Sequence, residues 1–542
     1  MSGQDDLPMP QLGLSEAEAA SRFEQLQRKL VPLWQSIREL NQSEQTIVVI
    51  PSQSLEFDCK GAEMQAYEER FLFLLLLLRQ PRARMVYVTS QTILSTTIDY
   101  YLGLLPGVIA SHARRRLVTV APEDRSLRPL SLKLLERPQL LERIRSLIQD
   151  PDRAHMVAYN VTLLERDLAL RLGIPLYGAD PRFFPLGTKT GCRRLFAEVG
   201  VGHPLGRGDL WSIEAVAEAL AGLRKAKPGI GKAMVKLNET ASGEGNAVVD
   251  LEGLPAPGAA GEAGALAARV QEMRFEAPHV TLQGYAAKLE QRGGIVEERI
   301  VGEEIRSPSV QLRVTPLGDV ELLSTHDQLL GGPTGQRYLG CRFPADPGYA
   351  ALIGREARKV GARLAREGVL GRFAVDFVVV RAADGVWTPY AIEVNLRKGG
   401  TTHPFLTLQF LTDGSYDEER AVFVAPSGRE KCFVATDHLE SALYRALTPD
   451  DLFDIVIRHG LHFDQTRQVG IVFHMLATLA ENGRIGATAV GDSPEDADQR
   501  LARLQAALED EAQRALEPRA LPDRSVSAAA GLGHRMANQK SA

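Results

Sequence analysis

The spacing of apolar residues changes along the chain, and each change marks a different kind of element. Between residues 15 and 40, Phe23, Leu26, Leu30, Leu33 and Ile37 recur at alternating three- and four-residue steps. That spacing predicts one amphipathic helix, kinked at Pro32, which caps the next unit or forms the seam of a homodimer. Short apolar runs at 46–50, 85–89, 117–120 and 156–159 follow, separated by helical stretches at 62–78 and 130–148. Strand and helix alternate here, so a parallel sheet is expected. The run 71–78, FLFLLLLL, is apolar on every side but sits between Arg70 and Arg79. It falls well short of the roughly 20 residues a membrane span needs, and a buried helix is predicted instead.

A second unit begins near residue 181, is interrupted by a Pro/Gly/Ala-rich surface loop at 254–264, and continues through strand-like runs at 296–314 and 320–324 and a helix at 349–367. A third mixes strands and helices from about 411 and ends in a charged helix at 493–516. The expected organisation is therefore a helical segment at 1–44, a parallel-sheet domain at 45–180, a larger α/β unit at 181–410, a C-terminal α/β region at 411–521 and a disordered tail at 522–542. No internal repeat is visible.

The most informative stretch is GRFAVDFVVVRAADGVWTPYAIEVNLRKGGTTHP, residues 371–404. Phe373, Val375, Phe377 and Val379, then Tyr390, Ile392 and Val394, give each of two strands an apolar face, so Asp376, Glu393 and Asn395 share the opposite one. Two carboxylates and an amide are hard oxygen donors, suited to Mg2+ carried with a nucleotide and ill suited to zinc. Arg397, Lys398 and a flexible Gly-Gly-Thr-Thr-His run follow directly, as a phosphoryl-transfer site requires. Upstream, Lys236 ends a strand and precedes Ser242, Gly243 and Gly245, a loop whose backbone N–H groups can approach phosphates. Residues 325–342, with His326, Asp327 and a Gly331-Gly332-Pro333 turn, are expected to form a mobile polar loop near an acceptor substrate. His403 and His474, next to apolar neighbours, are expected to be packed and not catalytic.

Composition narrows the classes. At 542 residues, with 44% hydrophobic and 24% charged residues, the chain is globular and too long for one core. A net charge of −5 gives no basic face for nucleic acid. The four cysteines, Cys59, Cys192, Cys341 and Cys432, show neither zinc-ligand spacing nor a disulfide framework, and Asp5 and Asp6 stand where a secretory signal would be basic. A cytoplasmic protein without membrane partners is expected. The first strand is followed by Pro51-Ser52-Gln53-Ser54-Leu55, without the glycine fingerprint of NAD or FAD binding, and no GxxxxGK[ST] loop occurs.

The order of these motifs resembles that of the ATP-grasp enzymes: a lysine in GTKTGCRRLFAEVGVGHP, the Lys236 strand and glycine loop, VEERIVGEEI, then the Asp and Glu-x-Asn strands. The wording of YEERFLFLLLLLRQP, STHDQLLGGPTGQRYLGCRFP, EVNLRKGGTTHP and GIVFHML further resembles the pheganomycin-type peptide ligases. The resemblance implies an α/β protein: a pre-ATP-grasp (Rossmann-like) domain, a two-lobed ATP-grasp fold and an extra C-terminal region. It implies that Lys189 and Lys236 hold ATP phosphates, that Glu297 with the backbone of Arg299 and Ile300 reads adenine, and that Glu304 binds ribose. Asp376, Glu393 and Asn395 would hold magnesium, Arg397 would stabilise the transferring oxygens, and Lys398 would guide a substrate carboxylate. Related ligases place an arginine two positions before the metal aspartate, where this chain has Ala374; Arg313 or Arg372 is expected to substitute. The implied activity is ATP-dependent amide or peptide bond formation between a carboxylate and an amine, releasing ADP and phosphate. A small-molecule kinase and a non-catalytic ATP-binding module are the alternatives.

Overall fold

The chain is described here by a computed structural model covering residues 13–38, 44–55, 59–239, 245–277, 279–332 and 335–517. The expected tail at 522–542 lies outside these residues, as do Ser242 and Gly243. Where one N-terminal helix was expected there are two, Glu16–Gln27 and Leu30–Arg38. The break falls at 28–29, and Pro32 sits in the first turn of the second helix, where its missing N–H costs no hydrogen bond. Phe23, Leu30 and Leu33 are buried within the chain itself, and Gln27 exchanges two hydrogen bonds with the backbone of Leu176 (2.7 and 2.8 Å). The apolar stripe thus caps the first domain.

That domain is built on four parallel strands, in the order Leu117–Val120, Ala83–Val88, Gln45–Ile50, Ala154–Ala158. The stretch expected as one helix over 62–78 divides into an α-helix, Glu63–Glu69, and a 3-10 helix, Arg70–Arg79. Because the latter is apolar all round, it buries all round. Phe71, Phe73, Leu75, Leu76 and Leu78 enter one core with Phe343, Phe405, Leu408 and Phe433 from the rest of the chain. Arg70 donates to Asp437 at 2.8 Å, both side chains being buried.

The larger unit holds two antiparallel sheets. A five-stranded one runs Gly206–Leu210, Gly294–Glu298, Lys232–Leu237, Asn246–Asp250, Arg274–Phe275. An 11-stranded one contains the Gly371–Arg381 and Trp387–Asn395 pair and continues through Pro308–Val314, Val320–Gly331 and Arg337–Phe343 to Glu430–Glu440. The C-terminal region therefore extends the same sheet across residue 411. Helix Pro347–Glu367 lies against it; a Cβ at Gly361 would stand 2.8 Å from the Val320 side chain, so glycine permits that approach.

Where a mobile loop was expected over 325–342, residues 325–331 and 337–342 belong to two paired strands, with Asp327 opposite Arg342. The polarity of this stretch misleads because Thr325 and His326 point into the protein and find polar partners there. No helix among the described residues is long and apolar enough to cross a membrane. The 3-10 segment makes a direct prediction: Phe73→Ala, at a side chain 1% exposed, lowers stability by about 3–5 kcal/mol, read as a lower midpoint in denaturant unfolding.

Candidate active site

Asp376 and Glu393 lie directly opposite each other on adjacent antiparallel strands, and Asn395 lies opposite Ala374. Asn395 donates to Asp376 Oδ2 at 2.9 Å and Gln328 donates to Oδ1 at 3.1 Å. The register shifts between Asp376 and Phe377, so the apolar alternation expected for the second strand breaks: Ala391 and Val394 are buried, while Ile392 joins Glu393 in lining the cavity. A bulge re-aims side chains in this way, and no sequence period announces it.

Two carboxylates held this close require cations. Lys189, at the start of helix Lys189–Glu198, places Nζ 2.5 Å from Glu393 Oε2. Its position is fixed by Asn238, whose carbonyl accepts from Lys189 N (3.2 Å) and whose side chain accepts from Thr190 N (3.0 Å). Lys236 pairs with Glu297 across neighbouring strands, and Arg193 reaches Glu297 at 3.4 Å. Burial works against ionisation of Glu393, yet the Lys189 charge, with Arg397 and Lys236 behind it, holds its carboxyl below the usual range. At Asp376 the Arg397 and Lys189 charges are outweighed. Burial and the charge of Glu393 push it up to about 6.

These side chains share one cavity of about 1130 Å³. Lys189, Lys236, Glu297, Arg299, Ile300, Asp376, Glu393, Asn395 and Arg397 all line it. Arg397 donates to the Tyr159 hydroxyl at 2.9 Å, which fixes its guanidinium beside the N-terminal domain. Gly245, at the end of the glycine loop, accepts from Leu237 N (3.0 Å) and the Tyr285 hydroxyl (3.1 Å).

Several expected residues are not brought to this wall. Glu304 pairs with Arg306 and Arg381 on the strand Glu304–Arg306. Arg313 pairs with Glu321 and stacks on Trp34 at 4.8 Å. Lys398 turns inward to donate to the Ala158 carbonyl, and burial lowers its ammonium to about 7. His326 is fully buried against Phe343 and Phe433, where desolvation pushes its imidazole down to about 3, and it bonds Ser324 at 2.8 Å. Asp327 accepts from the Tyr349 hydroxyl (2.6 Å) and Asp346 N (3.0 Å), tying the strand to the start of helix Pro347–Glu367.

Other cavity residues escaped the sequence reading. Gln328, Ser309, Tyr159, Arg70, Asp437 and Arg484 line the cavity, the last four contributed by the first domain and the C-terminal region through contacts across hundreds of residues. Only Ser309 and Gln328 had a local signal, since both are polar positions on strands flanking Asp376.

With this geometry in place, the comparisons are informative. The family model described as "IQCH-like, ATP-grasp" matches residues 185–263 and 261–418, and that described as "PGM1 C-terminal domain" matches 451–504. An L-propargylglycine–L-glutamate ligase of Streptantibioticus cattleyicolor is 31% identical over 438 residues, covering 79% of this chain and 86% of that protein. The IQ motif-containing protein H of Danio rerio is 26% identical over 67% of this chain, which spans 39% of its length. Among solved structures, the ADP complex of an N5-carboxyaminoimidazole ribonucleotide synthetase aligns over 86% of this chain and 98% of its own, with TM-score 0.50 and 13% identity. The biotin carboxylase of Campylobacter jejuni aligns over 87% and 95%, with TM-score 0.50 and 12% identity; these two likenesses bear on the fold. An ATP-grasp match across the carboxylate strands, joined to a ligase relative spanning most of both chains, establishes that the protein belongs to the ATP-grasp carboxylate–amine ligases, in the group of the pheganomycin-type peptide ligases.

Proposed function

We propose that this ATP-dependent ligase activates an amino-acid or peptide carboxylate as its acyl phosphate and joins it to the amine of a second amino acid. The observation that carries the reading is the Asp376–Glu393 pair with Lys189, Lys236 and Arg397 on one cavity wall. A carboxylate is a poor electrophile because its leaving group would be oxide. Attack of its oxygen on the γ-phosphorus of ATP expels ADP and makes that oxygen part of a mixed acyl–phosphate anhydride, whose phosphate can leave. The amine then adds to the acyl carbon, phosphate departs, and the nitrogen loses a proton.

Each step asks for positive charge at defined places. Lys189 and Lys236 now face carboxylates and are positioned to turn to phosphate oxygens when these enter. Arg397, anchored on Tyr159, offers a planar donor array to the departing phosphate. The cavity continues past Arg397 to Arg70, Asp437 and Arg484, leaving room for a substrate beside the nucleotide. The S. cattleyicolor relative is named for two amino acids, which supports α-amino acids as the substrate class here.

The donor set fits magnesium: Asp376, Glu393 and Asn395 are oxygen donors on facing strands, and the raised Asp376 carboxyl reports a place short of positive charge. These three residues would hold the ion, which when bound with nucleotide supplies neutralisation of phosphate charge.

Two outcomes test this account. Incubation with ATP, magnesium, an amino-acid panel and hydroxylamine yields a carboxylate-dependent hydroxamate, and Glu393→Ala lowers its rate at least about 100-fold while keeping the wild-type circular dichroism spectrum. A stable phosphorylated product without hydroxamate would instead mark a kinase, and an unchanged rate in Glu393→Ala would contradict the metal assignment. The second concerns pH. A carboxyl whose folded value rises from 3.8 to about 6 binds its proton more tightly in the folded chain, so Asp376 weakens the fold progressively as pH climbs through that interval and fully above it. Without magnesium, Asp376→Asn should therefore be more stable than the parent by about 1–3 kcal/mol near neutral pH, with the difference vanishing in acid below about pH 4. Urea unfolding across pH reads both.

A further inference from the structure

At the far end of the cavity, three ligating atoms from separate elements meet. His403 lies in helix Thr402–Thr412, Asp437 on strand Glu430–Glu440 and His474 at the end of strand Gly470–His474. His474 Nε2 is 2.8 Å from Asp437 Oδ1 and 3.1 Å from His403 Nε2, and His403 Nε2 is 3.6 Å from the same carboxylate oxygen. All three side chains are buried, at 3–4% exposure.

Hydrogen bonds alone serve this arrangement poorly. If His474 Nε2 carries a proton and gives it to Asp437, it has no lone pair left for His403. His403 must then either turn a second N–H toward that N–H or carry its proton on Nδ1, which is buried without a hydrogen-bond partner. If His474 Nε2 is instead unprotonated, its lone pair faces a carboxylate oxygen at 2.8 Å. A single proton cannot lie well between all three atoms, whereas a cation in their midst can. The edges of a tetrahedral shell with metal–ligand bonds of about 2.0–2.1 Å are about 3.3 Å long, and the three separations here bracket that value.

We propose that His403, Asp437 and His474 form a binding site for a zinc-sized divalent transition metal, distinct from the magnesium position at Asp376 and Glu393. Two imidazole nitrogens and one carboxylate favour such an ion over magnesium, which prefers oxygen. Burial, reinforced by His474, holds the His403 imidazole well below its usual value, hence neutral. Despite burial, Arg70 and the hydrogen bond from His474 hold Asp437 well below the carboxylate range, hence ionised. Both are the forms that ligate. The outer shell is also built: Arg70 Nη1 binds the other Asp437 oxygen at 2.8 Å and fixes the carboxylate plane. Gly486 leaves the space His474 occupies, since a Cβ there would stand 2.1 Å from Nε2. Asp437 also lines the substrate cavity, giving an entry path and a water for the fourth position. The positive charge of Arg70 keeps the affinity moderate. A metal here would tie together Arg70 of the first domain, the helix after the Glu393 strand and the C-terminal strands.

The test uses the full chain, stripped with chelator and saturated with MgADP so that the first site is filled. Titration with Co2+ is followed by visible absorption, and Zn2+ affinity by competition with a chromophoric chelator. The proposal expects one equivalent bound with the intense visible bands of four-coordinate cobalt, retention of that signal in Glu393→Ala, and at least about tenfold weaker zinc binding in both His474→Gln and His403→Gln. Weak octahedral cobalt bands in the wild type, or zinc affinity unchanged in the two histidine variants, would overturn it. Because the cobalt spectrum is read on the wild-type protein, instability of a variant leaves the proposal open to contradiction.

Discussion

Two carboxylates fixed opposite each other on neighbouring strands are costly, and the arrangement of the larger unit answers that cost. Backbone register sets Asp376 against Glu393, and the charge of Glu393 raises the proton affinity of Asp376. One is compensated by Lys189, whose helix start is tied through Asn238 to the five-stranded sheet. The other keeps a raised proton affinity and is bonded by neutral groups, Asn395, Gln328 and Ser309. Lys236 is in turn held by Glu297. Each lysine of the site is thus paired with a carboxylate.

The second requirement is a spacious place for this chemistry. Neither the first domain nor the C-terminal region supplies the carboxylates, but each supplies wall. The 3-10 segment Arg70–Arg79 is the joint: its apolar side chains fill the core shared with the 402–412 helix and the C-terminal strands, while Arg70 at its head turns to Asp437. Coulomb attraction between groups in such an enclosure is less screened than in water, which favours charge transfer between phosphate and carboxylate oxygens. The same packing brings His403 and His474 to Asp437, which lines the cavity.

Local features of the fold were legible because they rest on neighbours in sequence. Alternation placed Asp376, Glu393 and Asn395 on one face, and the parallel strands, helix Pro347–Glu367 and helix Pro494–Leu516 followed from apolar spacing. The bulge that turns Ile392 into the cavity was not legible, because it is a property of the pair of strands. His326 and Asp327 read as loop residues because polarity was taken for exposure; inside the protein His326 Nε2 bonds Ser324 and Asp327 accepts from Tyr349. The Arg70–Asp437 pair joins residues 367 apart, and no local pattern carries such a contact. His403 and His474, expected to be packed, are indeed buried, but packing set them against each other and a carboxylate.

The central claim is that the substrate carboxylate oxygen itself attacks the γ-phosphorus. Transfer of isotope from substrate to phosphate tests it most directly: a donor amino acid labelled with 18O in its carboxyl group is turned over with unlabelled ATP, and the released inorganic phosphate is analysed by mass spectrometry. Acyl-phosphate chemistry delivers one 18O to phosphate for each amide bond formed. Phosphate free of label while amide accumulates, or label in AMP, would contradict the account.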